Sequence, residues 1–287
     1  MALAGRPNVG KSTLLNALVG GHVAAVSDRP QTTRRAIRGV LTLAATQLIF
    51  VDLPGVQRPR DLLTQRMAAR VGRELEEADR VLLVLAADQR IGGGDRFIAA
   101  ALAAAHARVS IAVNKIDRTS PQRTAQALLD AEGLGVGEEI FPISARTGAG
   151  LDALTAHLCA SMPEGEHLFA SSTESDQPMA LHLAELIREA LLRRVYDELP
   201  HAAEVIVEEI APLPSGALLV RALIWVETDS QRAIVVGARG RMVKAIGSAA
   251  RRTLEGELGS HVHLELTVRT RRGWRSEPSA LARLQIE

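Results

Sequence analysis

The chain has 287 residues, 47% of them hydrophobic but only 2% aromatic, with a formal net charge of +1 and a single cysteine. That length suits one large or two medium domains. The near-neutral balance excludes bulk charge as the basis of partner choice. The lone Cys159 excludes an internal disulfide and fits a reducing cytoplasm, as a small apolar helix residue. The longest apolar run, 97–105, is too short to cross a bilayer, no secretory signal opens the chain, and the histidines show no metal-binding spacing.

In chain order, the first feature is a phosphate loop. Gly5-Arg6-Pro7-Asn8-Val9-Gly10-Lys11-Ser12 matches G-x-x-x-x-G-K-[ST] in full. The glycines let backbone N–H groups close around a phosphate, Lys11 reaches the β- and γ-phosphates, and the Ser12 hydroxyl is offered to Mg²⁺. The run from Ser12 and Thr13 to Val19 then starts a helix whose N-terminus points at the anion. Only Met1 to Ala4 precede the loop, short for a buried strand, which leaves open whether residues of the first strand are missing ahead of it. Gln31-Thr32-Thr33-Arg34 follows in a loop, where the Thr33 hydroxyl would complete the Mg²⁺ shell when a γ-phosphate is present.

Leu48-Ile49-Phe50-Val51 reads as a buried strand, and Asp52-Leu53-Pro54-Gly55 closes it. There Asp52 would hold Mg²⁺ through a water and Gly55 would give its N–H to the γ-phosphate. A helix over 62–77, strands over 80–85 and 109–113, helices over 96–107 and 119–132, a weaker strand at 140–143 and a helix over 151–159 complete the alternation. This order predicts an α/β fold, a mostly parallel sheet with helices on both faces. Ligands bind such sheets where the strands end, and there stands Asn114-Lys115-Ile116-Asp117. Asp117 would accept hydrogen bonds from the ring N–H and exocyclic amine of guanine. Adenine has an acceptor at the first of these places, which makes the contact selective. Lys115 would lay its stem over the base, and Ser144-Ala145-Arg146 would bring backbone N–H groups to the guanine carbonyl.

A polar stretch without apolar period then divides the chain: a first domain over 1–163, a linker over 164–178, and a second domain over 179–287. A helix (179–199), two strands (204–211 and 217–228), helical material (231–258) and a strand (261–270) predict an α+β domain on a small sheet. Gly237-Ala238-Arg239-Gly240 supplies a G-x-x-G loop between helical stretches, the pattern with which KH domains clamp a nucleotide backbone. From Arg232 to Arg252 there are six basic residues (Arg232, Arg239, Arg241, Lys244, Arg251 and Arg252) and no acidic one. A phosphate-rich partner is the functional reading of this face; a merely solvated basic helix is the alternative.

The ordered words G-R-P-N-V-G-K-S, P-Q-T-T-R, D-x-P-G and N-K-x-D resemble the Ras-like GTPase superfamily and, within it, the Era-type GTPases. The segments V-V-G-x-x-G-x-x-x-K-x-I-G and H-L-E-L-x-V-x-x-x-x-G-W resemble that family's C-terminal type II KH domain. The resemblance covers nearly the whole chain. It implies a slow GTP-hydrolysing switch with GTP/GDP and Mg²⁺ as ligands. The phosphate loop would be Gly5 to Ser12, the switch I threonine Thr33, the switch II entry Asp52 to Gly55, the guanine reader Asn114 to Asp117, and the fifth element Ser144-Ala145. Leu53 departs from the family's usual threonine, at a place that is neither metal ligand nor phosphate donor. Val56 stands where Ras-like enzymes carry a water-orienting glutamine, so backbone, another residue or a cation must place the water. With Asn8 in the loop, K⁺ beside the β–γ bridge is one expectation; Asn8 as simple loop support is the other. For the second domain the resemblance implies binding, through Gly237, Ala238, Arg239, Gly240, Arg241 and Lys244, to the 3′ region of 16S ribosomal RNA in the 30S subunit. It further implies assistance in assembling that subunit, a monomeric cytoplasmic protein, and peripheral contact with the inner membrane. The competing reading is a GTP-gated protein or membrane adaptor whose KH-like domain contacts something other than RNA.

Overall fold

The computed structural model describes residues 1–27, 32–55 and 59–286. It divides into two compact units: 1–23, 33–59 and 67–176 form the first, and 24–32, 60–66 and 177–287 the second.

The first unit is built on a six-stranded sheet in the order β2-β3-β1-β4-β5-β6. Its strands are β1 (Ala2–Ala4), β2 (Ile37–Leu43), β3 (Thr46–Asp52), β4 (Val81–Ala86), β5 (Val109–Asn114) and β6 (Glu139–Pro142). Every residue of β4 and β5 is buried, which is why both read as unbroken apolar runs in the sequence. Only β2 is antiparallel, pairing with β3 through a tight hairpin. The short β1 lies between β3 and β4, parallel to both, and delivers the loop that follows it. The helices are α1 (Lys11–Val19), α2 (Leu62–Glu77), α3 (Gly93–Ala104), α4 (Pro121–Glu132) and α5 (Leu151–Ala160); α2 begins in the residues grouped with the second unit. Two helix starts differ from the sequence expectation because of their caps. Asp95 accepts the Gly92 N–H at 2.9 Å and draws α3 back to Gly93. The Ser120 hydroxyl accepts from Arg123 N–H ahead of Pro121, which sets the start of α4. Residues 164–176, read as linker, fall with the first unit, where Val40 N–H donates to Glu174 C=O at 2.8 Å and Ser175 Oγ donates to Arg38 C=O at 2.7 Å.

The second unit carries α6 (Met179–Leu192), α7 (Leu199–Ala202), β7 (Glu204–Pro212), β8 (Leu218–Val226), α8 (Asp229–Val236), α9 (Arg241–Leu258), β9 (Val262–Thr270) and α10 (Pro278–Arg283). Its sheet order is β7-β8-β9, the first pair antiparallel and the second parallel. Helices α6, α8 and α9 bury Leu183, Ile187, Leu191, Val235, Ile246 and Leu254 in one apolar cluster with β8. The single helix expected over 179–199 ends instead at Leu192. Asp197 has φ +56°, which breaks the chain before α7. The helical stretch 231–258 is likewise divided, at the G-x-x-G loop.

Candidate functional site

The phosphate loop leaves β1 and enters α1 with the geometry its sequence demands. Gly10 sits at φ +100°, and a Cβ there would lie 2.4 Å from Asn114 Nδ2, so only glycine fits. Lys11 is buried, and its Nζ donates to the carbonyls of Gly5 (3.1 Å) and Arg6 (3.2 Å). Burial pushes its pKa below the ordinary amine value, against the opposing pull of Asp52. A buried ammonium held by neutral carbonyls is a ready attractor for phosphate oxygens.

Three oxygens converge beside the start of α1. Ser12 Oγ donates to Asp52 Oδ2 at 2.5 Å, Thr33 Oγ1 lies 3.0 Å from Ser12 Oγ, and Thr33 Oγ1 donates to Asp52 Oδ2 at 3.1 Å. Two hydroxyls and one carboxylate fit Mg²⁺, which takes hard oxygen ligands and keeps waters and phosphates in its shell. Among the described residues no group of three His, Cys, Asp or Glu side chains could hold a metal by itself. A divalent ion here would therefore lean on hydroxyls and on its nucleotide. Gly55 is brought against the loop, since a Cβ there would approach Pro7 Cγ to 2.8 Å. Leu53 is buried in the apolar cluster under the sheet, away from the oxygens. Val56 lies outside the described residues.

The end of the site expected to read the base is organised by Asn114, 2% exposed at the end of β5. Its Nδ2 donates to Val9 C=O at 2.9 Å, and its Oδ1 accepts from Lys115 N–H (2.8 Å) and Ala145 N–H (2.9 Å). One side chain thus fastens three separate motifs. Lys115 has φ +68°, and its Nζ donates to Asn8 C=O at 2.6 Å, which lays the stem across the mouth of the loop. Asn8 itself is exposed at φ +63°. Asp117 Oδ1 accepts the Ser144 hydroxyl at 2.7 Å, and Oδ2 pairs with Arg146 at 3.0 Å. The Ser144 hydrogen bond first, and the Arg146 charge after it, hold the Asp117 carboxyl below its usual range.

Ser144 thus acts through its hydroxyl. Of the backbone N–H groups expected at a guanine carbonyl, those of Ser144 and Ala145 donate to Ala149 C=O and Asn114 Oδ1 in this structure. Sequence reasoning also gave no role to the side chain of Arg6 or to Asp95. Arg6 Nε donates to the buried Asp95 at 2.8 Å and its Nη2 to Gln89 at 3.1 Å, tying the loop to the start of α3. Only a glycine run, Gly92-Gly93-Gly94, marks that place in the sequence; a Cβ at Gly94 would lie 2.8 Å from Arg6 Cδ.

In the second unit the G-x-x-G loop links α8 to α9. Gly237, Arg239 and Gly240 all have positive φ, and a Cβ at Gly237 would lie 2.7 Å from Met242 Cβ. Arg239, Arg241, Lys244, Arg251 and Arg252 are exposed on the loop and on α9. Arg232 is also exposed, but its Nε donates to Val268 C=O at 3.2 Å.

Residues 1–115 match the family described as "50S ribosome-binding GTPase", and 198–275 match the KH domain family. The chain is 43% identical over 289 residues to "GTPase Era" of Mycobacterium sp. (strain JLS), covering 99% of this chain and 97% of the relative. It is 38% identical to "GTPase Era" of Heliobacterium modesticaldum over 281 residues, 98% of this chain and 94% of that one. Among solved structures, an Aquifex aeolicus Era variant bound to GDP·AlF4⁻ superposes with a TM-score of 0.94 at 34% identity, covering 99% of this chain and 97% of that chain. Era in complex with MgGDPNP and nucleotides 1506–1542 of 16S ribosomal RNA superposes at 0.95, with the same identity and coverage.

Proposed function

Because the chain belongs to the Era family of GTPases, with a P-loop GTPase domain followed by a KH domain, it binds and hydrolyses GTP, and we propose the following roles for its residues and its partner. Asp117 selects guanine and Lys115 covers it. Gly5 to Thr13 cradle the phosphates, with Lys11 on the β- and γ-phosphates and Gly55 N–H on the γ-phosphate. Ser12 and Thr33 ligate Mg²⁺ directly, and Asp52 holds it through water. The metal, when bound, would supply positive charge that offsets the charge developing on the phosphates in transfer. The loop carbonyls hold the Lys11 ammonium in place beforehand, so little reorganisation is left for the reaction itself. Asn8, exposed at the apex of the loop, supports a K⁺ beside the β–γ bridge. Equal turnover in sodium and potassium would rule that out.

The KH domain holds single-stranded RNA at Gly237 to Arg241 and Lys244, and that RNA is the 3′ region of 16S ribosomal RNA. One observation carries this reading: a glycine loop shaped for close backbone approach opens onto a helix whose exposed charged residues from Arg241 to Arg252 are all basic. The Era structure with 16S nucleotides supports the choice of RNA. The cellular role that follows is assistance in assembling the small ribosomal subunit, by a cytoplasmic monomer. Among the described residues no helix is long and apolar enough to cross a membrane, so any contact with the inner membrane would be peripheral, through the same basic face. A titration of 16S 3′ RNA and of anionic vesicles against GDPNP- and GDP-loaded protein tests the reading. Salt-dependent RNA binding, lost in Gly240→Asp, is expected. Vesicle binding without RNA binding would favour the adaptor reading.

A further inference from the structure

The stretch that precedes Thr33 is gripped by a helix distant in sequence. Residues 24–32 group with the second unit, as does α6. In the middle of α6, Glu185, Arg188 and Glu189 are only 2%, 0% and 4% exposed. Long charged side chains are buried this deeply only when paired, and their partners here include backbone of 24–32. The Arg188 guanidinium donates to the carbonyl of Thr32. Its Nη1 and Nε lie 3.6 Å from Glu185 Oε2 and Glu204 Oε1, so two carboxylates of the second unit face it. Glu189 Oε2 accepts the Val26 N–H at 2.9 Å, and its other oxygen pairs with the exposed Arg193. Helix α6 therefore grips the stretch near both ends, through a backbone donor at 26 and a backbone acceptor at 32.

The second grip bears directly on the nucleotide site. The Thr32 carbonyl oxygen shares one rigid peptide plane with the nitrogen and Cα of Thr33. Fixing that oxygen restricts where the Thr33 side chain can be, and the Thr33 hydroxyl stands 3.0 Å from Ser12 Oγ and 3.1 Å from Asp52 Oδ2. A buried ion cluster is by itself a weak source of stability; its directional bonds to backbone are what distinguish this one. We propose that Arg188 is a positioning residue for GTP hydrolysis: by holding the Thr32 carbonyl it limits, through the shared peptide plane, where the Thr33 hydroxyl can stand for Mg²⁺. The proposal rests on Thr33 being a Mg²⁺ ligand in the GTP state.

The test uses the full chain and two variants, Arg188→Gln and Arg188→Lys, with Thr33→Ala beside them. The readouts are the Mg²⁺ concentration giving half-maximal GTP hydrolysis, the affinity for GDP, and the thermal midpoint. The switch I contact forms with the γ-phosphate and is released on hydrolysis, so GDP affinity does not depend on it. Arg188→Gln is expected to raise the Mg²⁺ requirement by about fivefold or more, to leave GDP affinity within about twofold, and to be partly rescued by lysine. An unchanged Mg²⁺ requirement in Arg188→Gln, with Thr33→Ala raising it, overturns the Arg188 proposal alone. No effect of Thr33→Ala overturns the underlying ligand assignment. Parallel loss of GDP and GTP affinity together with the thermal midpoint makes Arg188 a purely structural residue and also overturns the proposal. Should Arg188→Gln fail to fold, Arg188→Met combined with Glu185→Gln and Glu204→Gln removes the carbonyl donor together with the two carboxylates that face it, and the same outcomes decide.

Discussion

Replacing Asn114 by alanine removes one side chain and undoes three joints. The Val9 carbonyl loses its donor, and the Lys115 and Ala145 N–H groups lose their acceptor. Asn114 is 2% exposed, so water does not easily take over. With each bond worth about 1 kcal/mol net, and more where a buried partner stays unsatisfied, the loss is about 3 kcal/mol. Because these joints hold the phosphate loop, the Lys115 turn and the Ser144 loop in mutual register, most of that loss should appear in nucleotide binding. A fall of about 10²-fold in GDP affinity is then expected, chiefly through faster release. A fluorescent GDP analogue in stopped flow gives the release rate, and calorimetric unfolding of nucleotide-free protein separates the stability component. If the thermal midpoint drops while the release rate stays within about twofold, Asn114 braces the fold only, and its assignment as organiser of the nucleotide site is wrong.

Asp117→Asn replaces an acceptor with a donor at the base, so preference should move from GTP toward xanthosine triphosphate in a competition assay; unchanged preference would remove Asp117 from the base site. The folded Asp117 pKa is depressed, first by the Ser144 hydroxyl and then by Arg146, so its contribution is fully present above the unfolded carboxylate value of about 4 and is lost as pH falls through the lower folded value. Ser144→Ala should therefore shift the acid limb of guanine-nucleotide binding to higher pH, and identical acid limbs in the two proteins would deny the hydroxyl its role. Gly240 has open space around its Cβ position but φ +75°. Gly240→Asp should thus fold with modest strain, abolish RNA retention by placing a negative charge in the loop, and leave GTP binding intact; undiminished RNA affinity would refute the clamp.

Legibility in the sequence followed chain distance. The central strands β4 and β5 are buried at every position and so read as plain apolar runs, and the nucleotide motifs read as words because each is contiguous and follows a strand. Strand β2 was missed because it is an antiparallel edge strand with Gly39 in its middle. A Cβ there would meet Leu15 Cδ1 at 2.6 Å, so the glycine makes room for α1 and dilutes the strand signal. Strand β1, three residues long, holds a central place through pairing on both sides and not through its own composition. The break after Leu192 was hidden because positive φ at Asp197 is a backbone fact with no fixed residue signature.

The same distinction separates what the site contains from what sets it. Gly10, Lys11, Ser12, Asp52 and Asp117 carry roles that their own motifs announce. The groups that fix their positions come from far along the chain: Asp95 for Arg6 at a separation of 89 residues, Asn114 for Val9 at 105, and Arg188 for Thr32 at 156. For Val9 and Thr32 no local pattern results, because a hydrogen bond to a backbone carbonyl constrains geometry without requiring any particular residue at the acceptor; for Arg6 the partner is a side chain, but one too distant in sequence to form a local pattern. A motif therefore reports which ligand can bind. The remote partners bear on how the motif is held, and under the proposed assignment the placing of the Ser12 and Thr33 hydroxyls is what a switch must alter between its two nucleotide states.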